Sequence, residues 1–103
     1  MINVIDYVKL IIKKKKMTRT DFCRRINKVE EKLGDKRTHL ENITYWFNEK
    51  TTIRPITLLK WEKALDLTEG TLVSMVGLPK TREGLREYKK MRDKLREVYK
   101  NER

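Results

Sequence analysis

The sequence predicts an all-α fold, five short helices followed by a charged sixth, on three observations. Apolar residues recur at spacings of three and four along most of the chain, alternation of period two is nearly absent, and helix-opening signatures punctuate it at intervals. With 103 residues there is room for one hydrophobic core. Hydrophobic residues make up 38% and charged residues 40%, so that core is narrow and the surface heavily charged.

The first helix opens at Asn3, an N-cap with Asp6 three residues on, and Val4, Ile5, Val8, Ile11 and Ile12 form its apolar stripe. It ends in the run Lys13 to Lys16, whose cations either suit the helix C-terminal dipole in water or touch phosphates. Thr18 with Asp21 opens the second helix, whose stripe is Phe22, Ile26, Val29 and Leu33. Gly34 stops it, and it runs from Arg19 to Leu33 unless Asn27 breaks it. Thr38 and Glu41 read as a third capping box, opening a helix from His39 to Asn48 with Leu40, Ile43, Trp46 and Phe47 apolar. Its other face is polar: Asn42, Thr44, Tyr45 and Asn48, with Glu41 near the start.

Pro55 closes the following linker, and a fourth helix begins at Ile56 or Thr57 and continues through Leu58, Leu59, Trp61 or Glu62, and Leu65. Thr68 is read as the cap of a short fifth helix holding Leu72, Val73 and Val76, ended by Gly77 and Pro79. Residues 1–79 thus form the compact unit and residues 80–103 a charged amphipathic helix. Its stripe of Leu85, Tyr88, Met91, Leu95 and Val98 either packs on the chain's own core or pairs with a second copy as a homodimer interface.

The net charge of +11 draws polyanions, and its distribution narrows the possibilities. Residues 1–37 carry 12 basic against 5 acidic side chains, residues 38–79 carry 4 against 5, and residues 80–103 carry 10 against 5. Charge therefore flanks a neutral middle that contains the polar helix face. Cys23 is the only cysteine, which excludes an internal disulfide and is read as a reducing, cytoplasmic setting. One thiol and one imidazole, His39, cannot assemble a four-ligand zinc site, so no metal or cofactor is expected. No apolar run approaches the ~20 residues that span a bilayer, and no membrane partner is expected. There is no Gly-rich phosphate loop, metal-ligand spacing or nucleophile-base set, so neither an enzyme nor a small-molecule substrate is expected.

The stretch Thr57-Leu58-Leu59-Lys60-Trp61-Glu62-Lys63-Ala64-Leu65 resembles the run that follows the recognition helix in the phage-repressor and Cro-like helix-turn-helix family. Met17 to Asn27 resembles that family's first motif helix, with Cys23 in its small-residue position, and Ile43-Thr44-Tyr45-Trp46 resembles the centre of its recognition helix. The sequence departs from the family in about ten extra residues between Asn27 and Ile43, which split the motif, and in Asn27 standing where a turn glycine is usual. The resemblance implies a five-helix lambda-repressor-like domain that binds double-stranded DNA as a homodimer and regulates transcription, as a repressor of phage, plasmid or other mobile-element type.

On that reading Thr44, Tyr45 and Asn48 read bases, with Asn42, His39 and Glu41 as further partners. Arg19, Thr20, Lys15, Lys16, Lys36, Arg37 and Lys50 contact phosphates, while Arg24 and Arg25 are either a solvated face or further contacts. Trp46 and Cys23 are assigned to the core. The alternative is a protein-binding adaptor on the same scaffold, such as an antitoxin or a phage-encoded inhibitor.

Overall fold

The structure, a computed structural model, describes residues 3–49 and 52–100. The chain is all-helical. Its helices are α1 (Val4–Lys14), α2 (Arg19–Leu33), α3 (Leu40–Glu49), α4 (Pro55–Ala64), α5 (Val73–Val76) and α6 (Arg82–Tyr99). The described residues form no strand, and none of their helices is long and apolar enough to cross a membrane.

The first two helices start where their sequence signals put them. Asn3 Oδ1 accepts the Asp6 N–H at 2.9 Å. Thr18 and Asp21 cap each other, each side chain accepting the other's backbone N–H at 3.0 Å, which satisfies two of the four donors a helix start leaves orphaned. Asn27 does not interrupt α2; the helix runs on to Gly34, whose φ of +70° turns the chain left-handed at no side-chain cost. Pro55 is itself the first residue of α4, one or two residues earlier than the sequence suggested, because its missing N–H is one the first turn does not use.

Two expected side-chain caps do not form. The Thr38 hydroxyl is turned away from α3 and donates to Glu30 Oε2 at 2.7 Å, while the His39 carbonyl accepts the Asn42 N–H in the first turn. At α5, Thr68 caps nothing with its side chain. The buried carboxylate of Glu62 on α4 accepts the N–H groups of Gly70, Leu72 and Val73 at 2.7–3.0 Å. A charged acceptor reaching from another helix outbids a local hydroxyl at an N-terminus.

Helix α2 packs against α3, α4 and α6, α1 against α3, and α4 against α5 and α6. The centre is aromatic: Trp61 of α4 meets Phe22 of α2 edge-on at 5.1 Å between centroids, and Trp46 and Phe47 of α3 at 5.5 and 6.4 Å. Edge-on rings of this kind add to the area they bury. Trp61 Nε1–H is buried without an acceptor, a cost this packing offsets.

The apolar stripe of α6 lies on the chain's own core. Tyr88 and Leu95 are buried, and Leu85, Met91, Val98 and Tyr99 pack against the same cluster that holds α1 to α4. Polar groups fasten the helix further: Lys94 Nζ donates to the Leu33 carbonyl at 2.6 Å, and Arg96 makes a two-pronged bond to Glu69 at 2.9 and 2.6 Å. Of the two roles open to the stripe Leu85, Tyr88, Met91, Leu95 and Val98, core packing is the one observed, and Leu85, Met91 and Val98 stay half-buried.

Candidate nucleic-acid interface

Helix α3 has two unlike faces, and packing fixes which one looks outward. Ile43 and Phe47 are buried, and Trp46 is half-buried against Trp61. Rotation about the helix axis is thereby locked, and Glu41, Thr44, Tyr45 and Asn48, spaced at i, i+3, i+4 and i+7, share the outer edge. Tyr45 is 55% exposed; Glu41, Asn42, Asn48 and His39 are exposed as well, and Thr44 is half-buried. Among the described residues none of these six side chains is held by a hydrogen bond or ion pair to another group. Their donors and acceptors face solvent.

Cations gather at both ends of this edge. At the C-terminal end, Lys9 Nζ donates to the Phe47 carbonyl at 2.8 Å, and the Arg19 guanidinium lies 5.3 Å from the Phe47 ring centre. A cation over a ring face in this range is attracted by the ring quadrupole. At the N-terminal end Thr20 and Arg24 of α2 line a cleft with Arg37 and His39, and His39 also lines a shallower depression with Glu41 and Thr44. Thr20, Arg37, His39, Glu41 and Thr44 thus border one region, while Arg19 meets α3 through the Phe47 ring. Lys15, Lys16 and Lys36 are exposed, and no contact joins them to it. Lys50 lies outside the described residues. Arg25 is spoken for elsewhere: its guanidinium donates to the Ala64 carbonyl at 3.2 Å, closing the end of α4.

The chain between α2 and α3 is held by a polar clasp. Thr38 donates its N–H to Asn27 Oδ1 at 3.0 Å and to Glu30 Oε1 at 2.8 Å. Glu30 is 2% exposed and meets Lys60 Nζ at 3.0 Å; Lys60 also reaches Asp35 at 3.4 Å. Asn27 therefore serves as a bridge from mid-helix, and the left-handed turn expected of it belongs to Gly34. Glu30 falls at i+4 from Ile26 and i−3 from Leu33, on the apolar face of α2. A carboxylate at that spacing is the signal that marks it in the sequence. Lys9 carries no comparable signal, since it sits at the border of its helix's apolar stripe, where lysines commonly lie in water.

Cys23 is buried, and its Sγ–H donates to the Thr38 carbonyl at 3.4 Å. Burial pushes the thiol pKa up, with Asn27 partly opposing it, so the neutral form is favoured beneath the cleft. Asp21, at the start of α2, is held below the usual carboxylate range by the Thr18 N–H and hydroxyl. Among the described residues no three His, Cys, Asp or Glu side chains gather as a metal would require. What the arrangement offers chemically is an uncharged hydrogen-bonding edge with one carboxylate, bracketed by guanidinium and ammonium groups. No protein-family model, curated protein or solved structure matches the chain.

Proposed function

We propose that the protein is a sequence-specific double-stranded DNA-binding regulator, a repressor of phage, plasmid or other mobile-element type, that lays α3 in the major groove. The observation that carries this reading is the outer edge of α3: its side chains are unengaged, and the opposite face of the same helix is fixed in the aromatic core. A groove-reading helix needs that combination, because base discrimination depends on side chains held in register and free to pair. Asn48 and Asn42 suit adenine, Thr44 a thymine methyl or a hydrogen bond, and Glu41 the amino group of cytosine. Arg19, Thr20 and Arg37 grip the backbone around them, with Lys15, Lys16 and Lys36 contributing at longer range.

Two half-sites multiply affinity, so a homodimer in a reducing, cytoplasmic setting belongs to the proposal. The rival reading, a protein-binding adaptor such as an antitoxin or phage-encoded inhibitor, draws on the exposed apolar residues Met75 and Val76 of α5 and Leu78 after it, and on Leu40 beside the reading edge.

The test is titration onto random duplex DNA at two salt concentrations, followed by selection of a preferred sequence. A protein making about 6–10 phosphate contacts loses roughly 10³–10⁵ in affinity between 50 and 200 mM salt. Replacing Thr44 and Asn48 together by Ala is expected to bring the selected and random duplexes to similar affinity while leaving the salt dependence in place. Absence of salt-sensitive binding rejects the regulator and favours the adaptor.

A further inference from the structure

The insertion that splits the motif does more than lengthen a turn. It brings Arg37 alongside Arg24 of α2, and the two arginines line a cleft of about 400 Å³ together with Thr20, Thr38 and His39. No carboxylate lines this cleft. A second cleft of about 580 Å³ shares Arg24, Asn27 and Arg37 with it, and there Glu31 and Asp35 stand on the far side. Asp35 is drawn away toward Lys60. The first cleft is therefore the more cationic of the two.

Neither arginine is neutralised by a close partner. Arg24 is 3.7 Å from Asp21, with its side chain 73% exposed, a separation and exposure at which an ion pair contributes little. Arg37 has no ion-pair partner among the described residues. Two guanidiniums of like charge lining one concavity repel each other, and an anion between them relieves the repulsion. Guanidinium forks match phosphate oxygens two at a time, which lysines in the same places would not do.

The loop is also set in place before any ligand arrives. Thr38, next to Arg37, is pinned by Asn27 and Glu30, and Cys23 below it stays neutral, so no negative charge competes from the floor.

We infer that this cleft is a seat for a single phosphate group, gripped by Arg24 from α2 and by Arg37 from the 34–39 loop. The source of the phosphate is the duplex backbone beside α3, and in that respect the inference rests on the DNA-binding reading. A free phosphate is the other source with the same chemistry.

The experiment compares wild type with Arg24→Gln, Arg37→Gln and the double variant, all surface changes, on random duplex across a salt series. Each phosphate neutralised contributes about 0.9 to the slope of log K against log salt. If both arginines hold one phosphate, the double variant lowers the slope by about 0.9, and neither single variant lowers it by more than that. A double variant with an unchanged slope overturns the seat while leaving the reading of α3 standing. A double variant that loses about 1.8 overturns the shared grip in favour of two separate phosphates.

If wild type shows no salt-sensitive duplex binding, the DNA reading fails and the cleft is judged on inorganic phosphate alone. Saturable NMR shifts of the Arg24 and Arg37 Nε–H groups, each lost when the other arginine is replaced, then uphold the seat. No shift overturns it.

Discussion

Among the described residues two glutamates are buried, and they are made tolerable in different ways. Glu62 on α4 faces three backbone N–H groups, those of Leu72 and Val73 at the start of α5 and that of Gly70 in the turn before it. Glu30 on α2 faces a lysine ammonium, a threonine hydroxyl and one backbone N–H. The first holds together the side of the molecule where α4, α5 and α6 meet. The second fixes the loop that leads into α3, where the proposed reading edge lies. The first region is thus stitched by backbone geometry and the second by side-chain identity, so substitutions on the second side are expected to reach the interface and those on the first to reach only stability.

The largest expected effect tests whether the α6 side is core. Leu95 is 2% exposed, and Leu95→Glu puts a carboxylate there with no partner, at a cost of roughly 4 kcal/mol or more. Urea unfolding of the variant is expected to show loss of most of the native state. A variant that stays folded and only falls in mass on a sizing column would return α6 to the role of dimer interface.

Next comes Glu62→Ala, which strips the acceptor from three N–H groups and is expected to cost about 3 kcal/mol. Glu62→Gln keeps one acceptor oxygen and is expected to cost roughly half as much. In both, duplex affinity measured where the variant is still folded is expected to match wild type. A drop in affinity there would erase the distinction between the two sides.

The helices themselves were legible because each carries an amphipathic stripe and most carry a local start signal. Asn3 and the Thr18–Asp21 pair cap where their spacing says they should. Thr38 and Thr68 carry the same kind of signal and do not, because a carboxylate from another helix sits closer to the orphaned donors or to the hydroxyl itself. Pairings of that kind span 8–11 residues or, for Lys60 and Glu30, 30, and local periodicity holds no information about them. The outer edge of α3 was legible, since polar residues opposite Ile43 and Phe47 have nowhere else to point. The fate of the α6 stripe was not, since an apolar stripe is equally suited to its own core and to a second copy. Arg24 stayed open between a solvated face and a phosphate contact for a related reason: its neighbour Arg37 arrives through the loop, whose path a sequence does not state.

On the α3 side the expected loss is smaller but reaches function. Glu30→Gln retains the shape but keeps only one acceptor oxygen and removes the charge opposite Lys60, and is expected to cost about 1–2 kcal/mol in urea unfolding. Its duplex affinity is expected to fall at the same time, because Thr38 loses two charge-assisted bonds just before α3 begins. Adding Lys60→Met is expected to cost less than the sum of the single changes, since the lysine then has no charge left to answer. Strict additivity would show that Glu30 and Lys60 act independently and that the clasp is no unit.

The smallest effect lies in acid. Arg96, bonded to Glu69, holds that carboxyl below the usual glutamate range, against an opposing push from burial. A carboxyl that ionises at lower pH folded than unfolded adds stability above its unfolded pKa of about 4.3, and that stability disappears as pH falls through the folded value. Arg96 is 55% exposed and Glu69 about a third exposed, so solvent screening keeps the contribution small. Wild type is expected to melt slightly above Glu69→Gln at pH 7 and to converge with it toward pH 3, as α6 loses the same fastening by protonation that the variant loses by substitution. A melting difference that stays constant across this range would mean that the Arg96 bond holds α6 by shape and not by charge, bringing the α6 side closer to the backbone-stitched geometry around Glu62.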